Sequence, residues 1–401
     1  AKCLLIIAGA MKFPQRIGVV FCYYGSWANE RPGAGRFGVS DLPLDLCTHI
    51  VYSFIGLTAT GDLTYADEVT LEGKSNSVAD LIALKNSNPD LKILVAIGGW
   101  VEGSENFSLV ANNDTLRAYF VGNLYNYVDS NGFDGLDLDW EYPAQRGGAE
   151  SDKEQFVVLV KELKEAFTAK GYLLTSAVAV TQWHIDQSYL DYINLMVYDY
   201  HGTWSDSTGA NAPLYAQETD DPNLNLNVDS SVNVWINNGA SPSKLIMGLG
   251  AYGRTFTLTS LNNTSTGAPF TGAGEAGPYT AEAGFYAYNE ICEDQKNNTS
   301  AWSITEVTGN YVYANKDLFW VGYDNENTIY GKAQYAKRMG LGGIMYWAVD
   351  LDDFSGVCGD KYPLITQGIA GYKSASSQRL IQFALSPTIF VFMHYFISRL
   401  F

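Results

Sequence analysis

Eight short apolar runs recur along the chain, with helix-patterned segments between most of them. This alternation constrains the fold more than any other feature. The runs are 17–23 (IGVVFCY), 49–55 (HIVYSFI), 92–98 (KILVAIG), 133–139 (FDGLDLD), 173–179 (LLTSAVA), 192–198 (YINLMVY), 245–250 (LIMGLG) and 343–348 (GIMYWA). Helical periodicity fits 77–87, 113–130, 152–169, 229–238 and 326–339. Within 152–169, Phe156, Leu159, Val160, Leu163 and Phe167 form one apolar stripe, with most of the Lys and Glu elsewhere around the helix. Strands separated by helices pair in parallel, and eight of them can close on themselves. The predicted fold class is therefore α/β, a (β/α)8 TIM barrel. A doubly wound open sheet is the alternative, but no glycine-rich phosphate loop follows the first strand.

Two regions break the rhythm. Residues 255–325 are rich in Thr, Gly, Asn and aromatic residues and show little helical periodicity. They read as a small β-rich insertion after strand seven, built onto the barrel's loop side. Residues 373–401 begin polar and turn apolar, but Pro387 and His394 interrupt the apolar part. The unbroken run 389–393 is too short to cross a bilayer, so this tail is read neither as a stable membrane span nor as a domain. At the other end, AKCLLIIAGA (1–10) has a Lys, an apolar run and the small residues Ala8, Gly9 and Ala10, the pattern of a secretory signal remnant. Asn106, Asn113, Asn262, Asn263, Asn297 and Asn298 each open an N-glycosylation sequon. Together these features predict a secreted, extracellular protein.

Lys and Arg total 25 against 43 Asp and Glu, a net charge of -18. That balance argues against nucleic acid and anionic membrane as partners, whereas a neutral glycan carries no such penalty. The 9 Trp, 27 Tyr and 19 Phe leave room for a ligand-stacking surface beyond what a core needs. Cys3 falls in the signal-like segment. Cys22, Cys47, Cys292 and Cys358 can form two disulfides in an oxidising compartment. Sequence permits three pairings, of which Cys22 with Cys47 and Cys292 with Cys358 is the local choice.

The run NGFDGLDLDWEYP (131–143) places Asp134, Asp137, Asp139 and Glu141 in an otherwise apolar strand. On a strand, positions i, i+2 and i+4 share a face, so Asp137, Asp139 and, if the extended backbone continues, Glu141 line up. In a barrel the row runs up the interior to the C-terminal mouth, where such folds place their chemistry. Like charges this close cannot all stay ionised, so one proton is shared and one pKa rises. Glu141, nearest the mouth, fits a protonated general acid that gives its proton to a leaving oxygen, with Asp139 beside it and Asp137 deeper. Helix capping explains three inward carboxylates on one strand poorly. A metal site would want His or a further carboxylate cluster, and the chain has only 4 His. No metal and no cofactor are expected.

This run resembles the strand-four pattern DxxDxDxE of glycoside hydrolase family 18, the chitinases and chitinase-like lectins, in its animal form. The resemblance covers about 16–372, which it implies is one catalytic domain, including the small α+β insertion (255–325) that animal members carry after strand seven. It implies a retaining, endo-type hydrolysis of β-1,4-linked N-acetylglucosamine polymers or oligomers. In that mechanism the substrate's own N-acetyl oxygen is the nucleophile. It further implies Glu141 as acid and then base, Asp139 as the acetamide partner, Asp137 as inner support and Asp134 as structural. MVYDYHGTW resembles the strand-six motif, which implies that Tyr198 bonds the acetamide, Asp199 contacts the sugar and Met196 packs beneath. GGIMYWAVD resembles the strand-eight motif, which implies Trp347 as the floor under the sugar, with Met345 on the same face. Arg254 is a candidate for sugar hydroxyls or for an ion pair. Trp100 and Trp204 are candidate stacking platforms on the leaving-group side, Trp27 on the other, and Tyr23 is a pocket residue.

The chain departs from the family pattern at Ala96-Ile97-Gly98-Gly99-Trp100, where a Ser is common, and at Gly250-Ala251, where Pro and a larger residue are common. Both departures bear on subsite shape more than on the acid row. The expected partner is chitin or chito-oligosaccharide, bound by a monomeric protein, with soluble or accessible substrate favoured over crystalline polymer. A non-catalytic lectin or growth-factor-like member is the alternative reading. A hydrolase of the N-glycan chitobiose core is a third, which the aromatic platforms and the insertion disfavour.

Overall fold

A computed structural model describes residues 18–179, 187–217 and 225–374. The signal-like segment 1–10 and nearly all of the apolar tail, along with its Pro387 and His394, lie outside the described residues.

All eight expected strands are present: β1 (Val19–Gly25), β2 (His49–Leu57), β3 (Lys92–Gly98), β4 (Gly135–Asp139), β5 (Leu173–Val178), β6 (Tyr192–Leu195), β7 (Leu245–Gly250) and β8 (Gly343–Trp347). Each pairs in parallel with the next, and β8 returns to β1 through Val19↔Gly343, so the sheet closes. The closed (β/α)8 barrel replaces the open-sheet alternative. β6 is shorter than its apolar run. Ladder pairing stops at Leu195; the Met196 N–H still donates to the Val178 carbonyl at 3.0 Å, and Val197 to Asp199 leave the sheet before the mouth.

The outer helices follow the apolar stripes. In Asp152–Thr168 the residues Phe156, Leu159, Val160, Leu163 and Phe167 are all buried. Burial of one such face, not helix propensity, holds a surface helix in place. The helix Asp114–Asn131 starts where the Asn113 side chain accepts the N–H groups of Thr115 and Leu116, and ends at Gly132 with φ 79°. These are the N-cap and left-handed C-cap expected of Asn and Gly. Three helices escaped the sequence reading: Glu105–Ala111, Tyr288–Asn297 and Pro363–Ser374.

After β7 the chain runs almost directly into a second, antiparallel sheet. It comprises Phe270–Ala273, Tyr252–Leu258, Phe319–Tyr323, Tyr311–Lys316 and Ser303–Val307 in that order, with Phe285–Ala287 also on Tyr252–Leu258. Phe256, Leu258, Ala268 and Trp320 form a small core of its own. The disulfides Cys22–Cys47 and Cys292–Cys358 are both formed. The first ties β1 to the approach to β2, and the second ties the helix Tyr288–Asn297 to the loop beyond β8. Among the described residues no helix is long and apolar enough to cross a membrane.

Candidate active site

β4 aims the carboxylate row up the barrel. Asp137 is fully buried and sits in a cradle of donors. Tyr23 Oη donates to its Oδ2 at 2.7 Å, Asn194 Nδ2 to its Oδ1 at 3.2 Å, and Thr175 Oγ1 also donates to Oδ1. Asn194 Nδ2 donates as well to Tyr23 Oη at 2.8 Å. Register explains part of this, since Thr175 is the direct partner of Asp137 across the β4–β5 pairing. Burial raises the Asp137 carboxyl to about 6, against the three hydrogen bonds, which lower it.

Asp139, one step up, is 2% exposed, and its Oδ1 has no hydrogen-bond partner among the described residues. Burial first, then the charges of Glu141 and Asp137, push its pKa well above the ordinary range. An unpaired buried carboxylate oxygen is costly, and a site that leaves one open is arranged for a ligand donor. Glu141 lies just past the end of β4 and is 8% exposed. Burial raises it to about 7; the Tyr142 hydrogen bond and the Arg146 charge oppose that, and the Asp199 charge adds to it. Asp139 and Glu141 titrate as a pair. The row is thus graded: a satisfied carboxylate at depth, an unsatisfied one in the middle and a carboxyl raised to about 7 at the mouth.

Asp134 belongs to the other end. It forms ion pairs with Lys85 at 2.8 Å and Lys92 at 3.4 Å and accepts the Ile93 N–H at 2.9 Å, all at the base of the barrel.

The floor and walls come from other strand ends. Trp347, the last residue of β8, lies 5.8 Å from Tyr23, 5.7 Å from Phe54 and 6.3 Å from Trp27 between ring centroids. Trp27 stacks on Phe54 at 6.1 Å and is 44% exposed. Met345 is buried in β8, and Met196 is half-buried after β6. Tyr198 is buried edge-on to Tyr252 at 6.0 Å; burial, then the neighbouring Tyr252 and the charges of Asp139, Asp199 and Glu141, raise its pKa far above the usual phenol range. It therefore keeps its O–H proton. Its ring and the Met345 methyl leave no room at Gly248, where a Cβ would fall 2.9 and 3.1 Å from them. Gly98 has φ 112°, and a Cβ there would lie 2.1 Å from the Asp139 carbonyl oxygen, so the turn after β3 requires glycine.

Two arginines face the exposed platforms. Trp100 is 61% exposed and Trp204 59%. The Arg146 guanidinium lies 3.7 Å from the Trp100 ring centroid and donates to the Glu141 carbonyl at 3.0 Å. Arg254 lies 5.1 Å from the Trp204 ring and pairs with Asp199 at 2.7 Å. The ion-pair reading of Arg254 thus has its partner, and that partner is itself a sequence-predicted site residue. Of the sequons, Asn106 is half-buried with its amide donating to the Leu57 carbonyl and to Glu102. Asn113, Asn262, Asn263, Asn297 and Asn298 are exposed.

Sequence reasoning missed Thr175, Asn194, Phe54, Arg146 and Tyr252. A signal existed for the first two, each a polar residue inside an apolar strand. Phe54 and Tyr252 read as ordinary core, and Arg146 lies in a loop with no periodicity.

A family model for glycosyl hydrolases family 18 matches residues 19–352. The chain is 41% identical over 382 residues to probable chitinase 2 of Drosophila melanogaster, covering 89% of this chain and 77% of that protein. The crystal structure of the Ostrinia furnacalis Group IV chitinase in complex with allosamidin superposes with a TM-score of 0.84 at 39% identity, covering 90% of this chain and 100% of that one. Human YKL-39, described as a pseudo-chitinase with retained chitooligosaccharide binding, superposes with a TM-score of 0.80 at 34% identity, covering 89% and 100%. Barrel, acid row and family model agree: the chain belongs to glycosyl hydrolase family 18.

Proposed function

We propose that this protein is a chitinase that cleaves β-1,4 bonds between N-acetylglucosamine units with retention of configuration. The observation that carries this reading is the graded row Asp137, Asp139 and Glu141 at the C-terminal end of β4, beside the Trp347 floor. Glu141 donates its proton to the glycosidic oxygen as the bond to C1 breaks. The substrate's N-acetyl oxygen closes onto C1 from the opposite face and forms an oxazolinium ion. Asp139, with its open Oδ1, accepts the acetamide N–H and offsets the positive charge that develops there. Tyr198 donates to the acetamide oxygen. Glu141, now a carboxylate, takes a proton from the water that attacks C1, which restores the acid.

Asp137 supports the pair from below without touching the sugar. Its three donors stabilise its charge, and that charge in turn raises Asp139. Asp199 and Arg254 bind sugar hydroxyls, and Trp100, Trp204 and Trp27 stack on sugar faces. Two disulfides support an exported, extracellular protein.

The test is release of shorter sugars from a chito-oligosaccharide by the purified protein. The second reading, a lectin, is prompted by the likeness to a pseudo-chitinase. Binding without product release would establish it. The intact Glu141 and Asp139 favour hydrolysis. Products from a six-sugar substrate distinguish endo from exo action.

The raised acid fixes the sign of the pH dependence. A general acid works in its protonated form, and Glu141 rises to about 7. In the free enzyme kcat/KM is expected to hold below that value and to fall about tenfold per unit above it, a limb belonging to the Asp139–Glu141 pair. A pH–rate profile without a basic limb between pH 6 and 9 would remove Glu141 from the acid role. Trp100→Ala removes an exposed platform remote from the reacting atoms. KM is expected to rise roughly three- to tenfold with kcat nearly unchanged, measured by initial rates on a four-sugar substrate.

A further inference from the structure

The chain leaving β6 carries Asp199 in the left-handed backbone region, φ 60°. Residues with side chains rarely hold that conformation unless neighbours fix it. The neighbour here is Asn211, 1% exposed. Its Oδ1 accepts the Asp199 N–H at 3.0 Å, and its Nδ2 donates to the Tyr252 carbonyl at 3.2 Å. Its own backbone carbonyl accepts the Tyr200 N–H at 3.0 Å. Tyr252 Oη and Arg254 Nε in turn donate to Asp199 Oδ1 at 2.8 and 2.7 Å.

These contacts close a ring. It runs from the Asp199 backbone through the Asn211 amide to the Tyr252 backbone, and from the Tyr252 hydroxyl back to the Asp199 carboxylate. A carboxamide suits the junction because it carries an acceptor and a donor on one planar group. The ring is anchored from behind, where the Ala212 carbonyl accepts from Lys332 Nζ, itself paired with Asp324 in the interior. It is also tightly packed, since a Cβ on Gly250 would lie 3.3 Å from Asn211 Nδ2 and 3.0 Å from the Tyr252 ring. Both donors to Asp199 use Oδ1. Oδ2 has no hydrogen-bond partner among the described residues, and the side chain is 34% exposed.

We propose that Asn211 is a positioning residue: it fixes the Asp199 backbone against Tyr252 and so holds the free Asp199 oxygen toward the sugar. The proposal rests on the reading of Asp199 as a sugar contact. Asn211 is reached through neither the carboxylate row nor the aromatic floor, and it joins the barrel to the first strand of the second sheet.

Asn211→Asp provides the test, because it keeps the acceptor and loses the donor except when the new carboxyl is protonated. That carboxyl would sit against the Asp199 N–H and the Tyr252 carbonyl, with the Asp199 carboxylate, Arg254 and Tyr252 hydroxyl closing the ring, His201 on the neighbouring Ala210 carbonyl and the Lys332–Asp324 pair beyond Ala212, in a buried setting that raises its pKa. At pH 8, kcat/KM on a chito-oligosaccharide is expected to fall about ten- to a hundredfold, and the deficit against the parent to shrink at pH 5. In an Asp199→Asn background the same substitution is expected to change kcat/KM less than about threefold, because two changes acting through one group are not additive. A deficit that is constant from pH 5 to 8 and fully additive with Asp199→Asn would overturn the proposal while leaving Asp199 a sugar contact. If Asp199→Asn alone leaves kcat/KM at the parent value, it is the reading of Asp199 that fails. Should Asn211→Asp yield no folded protein, Asn211→Ser takes its place in the same cycle, and non-additivity alone decides.

Discussion

Glu141→Gln is expected to abolish chito-oligosaccharide hydrolysis while leaving binding intact. The substitution is nearly isosteric, so the backbone around the end of β4 and the Arg146 bond to the Glu141 carbonyl are kept. What disappears is the only carboxyl in the row placed at the mouth with its proton held to about neutral pH. An amide can donate a hydrogen bond but cannot release a proton to the leaving oxygen. Loss of a positioned general acid costs about 10²–10⁴ in rate, and here the same group also serves as the base of the second step, so the upper end is expected. Single-turnover rates with calorimetric binding on the same preparation check it. Parent-like turnover would dismiss the mechanism. Loss of binding together with turnover would point to a collapsed site instead.

The second large effect is at Asp139, and it runs in two directions. Asp139→Asn removes the charge that meets the developing oxazolinium, so kcat is expected to drop about 10²–10³-fold. The same change should stabilise the fold at alkaline pH. The sign follows from the direction of the shift. Asp139 is raised in the folded state by burial, by Glu141 and by Asp137. A group raised on folding contributes stability that is complete below its unfolded value and is lost as pH climbs through the folded value. Asn stays neutral throughout, so the variant escapes that loss. Thermal midpoints of parent and variant are expected to coincide near pH 4 and to separate by a few degrees by pH 9, the variant higher. A variant that is less stable at pH 9 would mean that Asp139 is held by contacts the barrel interior does not reveal.

Much of this was legible in the chain before any coordinates. The barrel followed from eight apolar runs of strand length with helical patterns between most of them, because parallel strands covered on both faces read as near-continuous apolar runs. Where the signal failed, it failed for physical reasons. The run 192–198 looks like one strand, but the sheet stops at Leu195, since Tyr198 and Asp199 must turn into the cleft. The helix Tyr288–Asn297 lies in the insertion, where short strands and turns obscured its period. In the site, the residues carrying charge in a recognisable spacing were found, and those that hold them were not. Thr175 and Asn194 touch Asp137 only through strand register, which a linear reading does not supply. The pairing of Cys22 with Cys47 and Cys292 with Cys358 was one of three possibilities until geometry selected it.

β4 and the residue before it do two jobs at opposite ends. Below, Asp134 ties its neighbours together: its backbone N–H donates to the Ile93 carbonyl at 2.7 Å, its carbonyl accepts the Leu173 N–H at 2.9 Å, and its carboxylate holds Lys85 and Lys92. Above, the same segment delivers the proton. At ~3.3 Å per residue the two ends lie on the order of 20 Å apart, beyond the range at which substitutions usually influence one another. Selection can therefore rework the rim for a different sugar, or a designer can, while the foundation of the barrel goes untouched.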